Sequence, residues 1–449
     1  MKANLNGSAG FRRSGKHLVF WSLAAASFAP ARQTAAALPE WLGDSSVTLK
    51  ETYDGNVFLS GVNPQFYAQP ALPAVPGSAV AHKNESAAVT TAGFRATLNL
   101  LPATGTNTLS LFTLAYAPEF DVYEGVPSET HYDHRLLGSL KGQSGPWSFG
   151  LEENFLYVDG SRVGPTYPGG YVTAFNVGAP RERRQQIQDR ATATVRYDAD
   201  HWFGRSGLNL TLYDLQTELR TNTGYVNYCS RYDFRGSVDA GYKVTPQTAL
   251  TLGTQIGRQE QQPYSFKVNE SSSMYYRILG GLEGHPLSWL TVKCQAGPDL
   301  RVYDAAAAVN ARHKVTYYDE ISAAARLSDA DTLTLEGRQF QWVSSLGVVP
   351  YFDTSAALNW HHAFGKTVGT DLGLKFMSAD YRSGDLVTCR RVDTETCLTA
   401  GVSYAVNRHL TVALNGEFDL GLNDISGVTN PTTRNFHRTL VSLGATWKF

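Results

Sequence analysis

His131, Asp133 and His134 come nearest in this chain to residues whose types and spacing could do chemistry. Two imidazoles and a carboxylate so close together could hold a metal ion or supply a general base. On a strand, successive side chains alternate between faces, so His131 and Asp133 share one face and His134 takes the other. No partner motif for a hydrolase accompanies them. The chain is therefore read as non-enzymatic, with these residues at a solvated strand end and no catalytic residue, metal or cofactor assigned. His361 and His362 are adjacent, point to opposite faces and cannot chelate together. The sequence holds neither a phosphate-binding loop nor a Cys-x-x-Cys. Of its four cysteines, Cys389 and Cys397 flank C-R-R-V-D-T-E-T-C near a predicted hairpin tip and are a candidate disulfide in an exported protein. Two separate thiols is the competing reading, because Cα separation is not legible in sequence. Cys294, among Leu290, Val292 and Ala296, reads as a small lipid-facing residue.

A larger set has the types expected of a water-filled bore. Arg95, Arg190, Arg196, Arg235, Arg277, Arg326 and Arg338 stand against Glu152, Asp239, Glu283, Glu320, Glu336, Asp371 and Glu417, each within an alternating stretch. Facing rows of opposite charge would set a transverse field favouring polar over apolar solutes. The same residues could instead pair across strands and fill the bore, and register alone decides between the two.

The elements that must position these residues are strands. Tyr232, Phe234, Val238, Ala240, Tyr242 and Val244 alternate with Arg231, Asp233, Arg235, Ser237, Asp239 and Lys243. Leu410, Val412, Leu414, Phe418 and Leu420 alternate with Thr411, Asn415, Glu417 and Asp419. A charge facing lipid at mid-bilayer costs roughly 2–4 kcal/mol, so the charged rows are assigned to the lumen. About eighteen such segments of roughly ten residues each can be counted, with sixteen or twenty as the neighbouring even counts. The first runs from Val47 to Leu59 and the second from Val89 to Leu101; later hairpins include Lys314–Leu327 with Thr332–Trp342 and Tyr351–Phe364 with Val368–Tyr381. Connections from even to odd segments are short turns. Those from odd to even are longer and richer in Gly, Pro and charge, the longest being 60–86 and 159–181; either of these two would be the loop to plug the bore. This asymmetry predicts an all-β, transmembrane, antiparallel up-and-down β-barrel of about 18 strands (16–20), with short periplasmic turns and long extracellular loops. Trp147, Tyr157, Tyr197, Trp202, Tyr242, Trp289, Trp342, Tyr404 and Trp447 lie next to turns and are expected in two interfacial girdles.

Composition agrees. Charged residues are 18% of the chain and mean hydropathy is −0.25, yet aromatic residues reach 12%, as alternating wet and oily faces require. No apolar run reaches the roughly 18–20 residues of a spanning helix, and a net charge of −1 makes nucleic acid an unexpected partner. Arg12, Arg13 and Lys16, the apolar stretch through Ala29 and the run Ala35-Ala36-Ala37 read as a secretory signal over 1–37, leaving 38–449 as the barrel. So few residues then precede Val47 that no plug domain is expected ahead of the first strand. The last strand closes on Trp447 and Phe449 with one apolar face, which resembles the closing-strand insertion signal of bacterial outer-membrane barrels.

The opening Tyr53-Asp54-Gly55-Asn56-Val57-Phe58 and the repeats at 242–252 (Y-K-V-T-P-Q-T-A-L-T-L) and 404–414 (Y-A-V-N-R-H-L-T-V-A-L) resemble the β-barrel porin-2 family. The resemblance covers most of the mature chain. It implies a Gram-negative outer-membrane barrel, some relatives being associated with exopolysaccharide export, and it implies no substrate. The function expected first is a porin-like passive channel for small polar solutes. A barrel component for exopolysaccharide export and a structural or adhesive surface protein are the alternatives. The expected partners are outer-membrane lipid and lipopolysaccharide, the barrel-insertion machinery, and small polar solutes or polysaccharide.

Overall fold

A two-residue rhythm builds a wall strand by strand. The computed structural model describes residues 39, 41–59, 84–101, 108–159, 186–214, 230–262, 272–304, 313–343, 350–380, 390–426 and 435–449. The first nine strands are β1 (Ser46–Asp54), β2 (Ala87–Asn99), β3 (Leu109–Glu124), β4 (His131–Ser144), β5 (Trp147–Asp159), β6 (Gln186–Asp198), β7 (Trp202–Asp214), β8 (Ser230–Thr245) and β9 (Thr248–Gln262). The next nine are β10 (Ser273–Leu287), β11 (Leu290–Tyr303), β12 (His313–Arg326), β13 (Asp331–Trp342), β14 (Tyr351–Phe364), β15 (Val368–Asp380), β16 (Arg390–Ala405), β17 (Leu410–Ser426) and β18 (Phe436–Lys448). Each is antiparallel to the next and β1 also pairs with β18, so the 18-stranded sheet closes on itself and has no edge. Among the described residues no helix is long and apolar enough to cross a membrane.

Connections from even to odd strands are short, such as 145–146, 246–247 and 288–289, and they share one rim. Gly145 sits at φ 56°, a conformation that glycine adopts without a Cβ clash, and so lets β4 turn directly into β5. The closing seam aligns Val47 with Trp447 and Tyr53 with Val441. Beyond β1, Gly55 N–H donates to Thr439 O at 2.8 Å, and Arg438 grips Asp54 through Nε at 2.8 Å and Nη2 at 2.5 Å. At the short-turn rim, Phe449 N–H donates to Ser45 O at 3.1 Å.

The outward face is apolar, from Val47 and Leu49 round through Leu252, Tyr317, Leu374 and Leu443. Trp147, Trp202, Tyr242, Trp289, Tyr404 and Trp447 are exposed near the short-turn rim, with Tyr197 between Trp147 and Trp202 at 4.9 and 5.6 Å. At the long-loop end Tyr157 lies beside His134, which also hydrogen-bonds Tyr116 Oη at 2.8 Å. Cys294 lies on the outward row, opposite Ile321.

Two sequence expectations are corrected. The first strand ends at Asp54 rather than Leu59: the chain turns after Gly55, and Val57 and Phe58 are buried with Val89, Tyr123 and Val126. Trp342, expected in a girdle, is 3% exposed and packs with Tyr213, Tyr318, Phe340 and Tyr351. Its strand leaves the wall, because pairing of β12 with β13 stops at Asp319–Gln339 while β13 and β14 stay paired to Trp342–Tyr351. As far as Val343 and from Pro350 on, this end of the hairpin turns into the bore, where Trp342 meets Tyr213 of β7. Charge on the outward rows is a further departure: Glu51 lies between Leu49 and Tyr53 and accepts from Thr90 Oγ1 at 2.7 Å, and Asp319 lies between Tyr317 and Ile321. Segment 1–37, Cys389, most of the 60–86 connection and almost all of 159–181 fall outside the described residues.

Candidate functional site in the barrel lumen

Strand parity carries one row of each strand into the bore, and closure makes these rows converge. On β6 to β11 that row is rich in arginine. Glu283 accepts from Arg196 Nη1 at 2.7 Å and from Arg205 Nη1 at 2.8 Å, and Arg205 Nε reaches Asp239 at 2.8 Å. Nearer the long-loop end, Asp299 is fully buried and takes Arg277 Nε at 3.0 Å and Arg301 Nη2 at 2.8 Å. The Tyr275 ring lies 4.1 Å from the Arg277 guanidinium and 4.8 Å from that of Arg301. Gly257 makes this possible, since a Cβ there would collide with the Tyr275 ring. Fixed guanidinium stacks of this kind present charge without losing it to side-chain motion.

The inturned hairpin is held by this wall. Arg231 Nη1 donates to Val343 O at 2.9 Å, Arg301 Nη2 to Gln341 O at 2.9 Å, and Gln259 Nε2 to Gln341 O at 3.1 Å. Gln341 also bonds Tyr303 Oη. Arg231 lies on β8 and Arg301 on β11, so the backbone at the end of β13 is anchored to those strands rather than to its neighbour β12.

Half-way round the ring from β8, strands β16 and β17 bring Cys397, Glu417 and Asp419 within 4.8 Å of one another, beside the buried Asp393 and Glu395. On β3 and β4, Asp121, His131 and Asp133 form a second such group. Against the inner face of β3 to β12, in the half nearer the short turns, lies a cavity of about 660 Å³ lined by Lys141, Glu152, Arg196, Arg235, Lys293 and Glu320, among others.

Of the residues the sequence nominated, Arg196, Arg235, Glu152, Asp239 and Glu320 border this cavity, and Glu283 joins it through Arg196. Arg190 donates to Tyr213 Oη at 2.5 Å and Arg277 lies in the buried stack. Arg338 stands opposite Glu320 in the ladder, with its guanidinium 4.5 Å from the Phe340 ring, and Glu336 stands opposite Ser322. Asp371 accepts from His361 Nδ1 at 2.8 Å, and Glu417 belongs to the acidic wall. Arg95 is exposed beside Thr97, and Arg326 reaches Asp329 at 2.8 Å in the turn after β12, at the rim. In the structure, arginines pair with acids of their own wall, while further acids gather across the bore. Arg205, Asp299, Arg301 and Gln259 were not nominated, although the same parity rule points all four inward; Arg231 was placed on the lumenal row of β8 without a role. Cys397 is buried on the lumenal row; its expected partner lies outside the described residues.

No known protein family matches the chain, and no curated protein does. Several solved structures are similar in outline. OccK1 (OpdK) of Pseudomonas aeruginosa is 12% identical over 90% of this chain and 98% of its own, with a TM-score of 0.40. OccAB4 of Acinetobacter baumannii is 10% identical over 90% and 98%, with a TM-score of 0.39. OmpT, an outer membrane protein of Vibrio cholerae, is 10% identical over 91% and 97%, with a TM-score of 0.38. No residue role is carried over from them.

Proposed function

We propose that the chain is an outer-membrane channel that admits small polar solutes passively. The single observation behind this reading is the closed wall: a sheet without edges, oily outside and charged inside, satisfies every ladder amide in lipid while leaving a polar bore. The arginine wall and the acidic wall across from it would hold a solute carrying both signs, and the inturned β13–β14 end would set the narrowest passage. The exported leader, the lipopolysaccharide contact and the aromatic closing signal belong to this same reading.

The test is conductance in planar bilayers with folded, purified protein. Stable steps with small single-channel conductance are expected, together with uptake of small zwitterionic solutes into vesicles. Complete absence of ion flux from correctly folded protein would remove the proposal.

A further inference from the structure

The β3–β4 hairpin carries a donor set that neither the bore's ion pairs nor the hairpin clamp uses. Asp121 and His131 face each other directly in the ladder, and Asp133 follows His131 on the same lumenal row. His131 is 5% exposed, and its Nδ1 lies 2.7 Å from the carbonyl of Glu129, in the short 3-10 turn Pro127–Glu129. A carbonyl only accepts, so Nδ1 carries the proton and donates it. Nε2 of the neutral ring is then a lone pair. It lies 3.5 Å from Asp121 Oδ2 and 3.7 Å from Asp133 Oδ1, and both are acceptors. Asp133 Oδ1 is itself buried without a hydrogen-bond partner among the described residues. The other oxygen of Asp121 takes the hydroxyl of Thr91, and the ring of Tyr123 lies against His131 at 5.9 Å. Three lone pairs thus converge within 4.8 Å of one another.

We propose that Asp121, His131 and Asp133 bind a divalent transition-metal cation at the long-loop end of the lumen. Two magnitudes support a metal over a shared proton. Hydrogen bonds from an imidazolium to carboxylates run to about 2.7–3.2 Å, shorter than both separations here. Tetrahedral ligands about 2.1 Å from a zinc ion stand about 3.4 Å apart, close to the 3.5 and 3.7 Å from the ring nitrogen to the two carboxylate oxygens. The Nδ1–carbonyl bond is the outer contact that fixes the tautomer and aims Nε2, as in histidine ligands generally. One nitrogen and two carboxylate oxygens suit zinc and its neighbours in the first transition row better than magnesium or calcium. Three protein ligands leave a position open to water or to a solute in the bore. The site does not depend on the channel reading, because it is complete within one hairpin.

The experiment is calorimetric titration of zinc alone into the metal-stripped full chain folded in detergent, with folding of every variant checked by circular dichroism and heat-modifiable electrophoretic mobility. The wild-type chain should bind one equivalent saturably and gain thermal stability with zinc. His131→Gln and Asp121→Asn should each weaken binding at least tenfold, with Asp133→Asn as the substitute should either fail to fold. Cys397→Ser, at the acidic wall, should bind as wild type. Absence of saturable binding, unchanged affinity in His131→Gln, or loss confined to Cys397→Ser would overturn the proposal. Conductance plays no part in this readout, so its outcome stands apart from that of the channel test.

Discussion

Asp299 shows how much a single lumenal residue carries. Two arginines share its carboxylate with all three side chains buried, so Asp299→Ala leaves Arg277 and Arg301 without their counter-charge. Breaking a buried pair in this way costs about 3–5 kcal/mol, and urea unfolding in detergent or vesicles should register that loss. Gly257→Ala is the steric counterpart. The added methyl meets the Tyr275 ring, and the resulting shift should destabilise by about 1–3 kcal/mol while disturbing the guanidinium stack. Glu51 has the opposite sign. It faces outward among apolar neighbours with the Thr90 hydroxyl as its hydrogen-bond partner, so Glu51→Leu should stabilise the barrel in a bilayer, by less than about 2 kcal/mol since acids cost less than bases there. Detergent, which lets water reach the carboxylate, should shrink that gain.

Among the elements, the β13–β14 hairpin is the one proposed to set the narrowest passage. Its end is tied by side chains from β8, β9 and β11, so the double variant Arg231→Ala with Arg301→Ala should release it. Single-channel conductance should then rise or flicker between levels, whereas a hairpin that is not the narrowest passage would leave it unchanged. This element also marks where reading the sequence succeeds and where it stops. Strand number, antiparallel order, the alternation of short and long connections and the inward row of β8 follow from a period of two and the turn residues alone. Trp342 does not, because parity predicts a face only while a strand remains in the wall. Gln339 is the last residue of β13 held by β12, and what draws Trp342 inward is distant: Tyr213 on β7 and Arg231 on β8. The same limit applies to the metal group. Its His131–Asp133 half was visible at i and i+2, while Asp121 joined only through register across the hairpin.

At the scale of the whole molecule, the arginine-rich strands and the acidic strands stand across the bore from one another. Their field reaches a permeating ion only as far as salt allows, about 10 Å at 0.1 M and about 30 Å at 0.01 M. Ion selectivity measured from reversal potentials should therefore sharpen as salt is lowered, and reversing Glu417 and Asp419 to lysine should move it toward anions. A selectivity indifferent to both changes would mean the charges serve packing alone. The contact of Phe449 with the carbonyl of Ser45 bears on something else. Two points so far apart along the polymer lie one hydrogen bond apart in space, so the wall is topologically a loop with an arbitrary cut. A circular permutant, ligated between these residues and opened at Gly145, would keep every ladder and refold in micelles, yet it would end on β4 without an aromatic terminus. Comparing its refolding with its delivery in living cells would separate what makes the cylinder stable from what makes it recognisable.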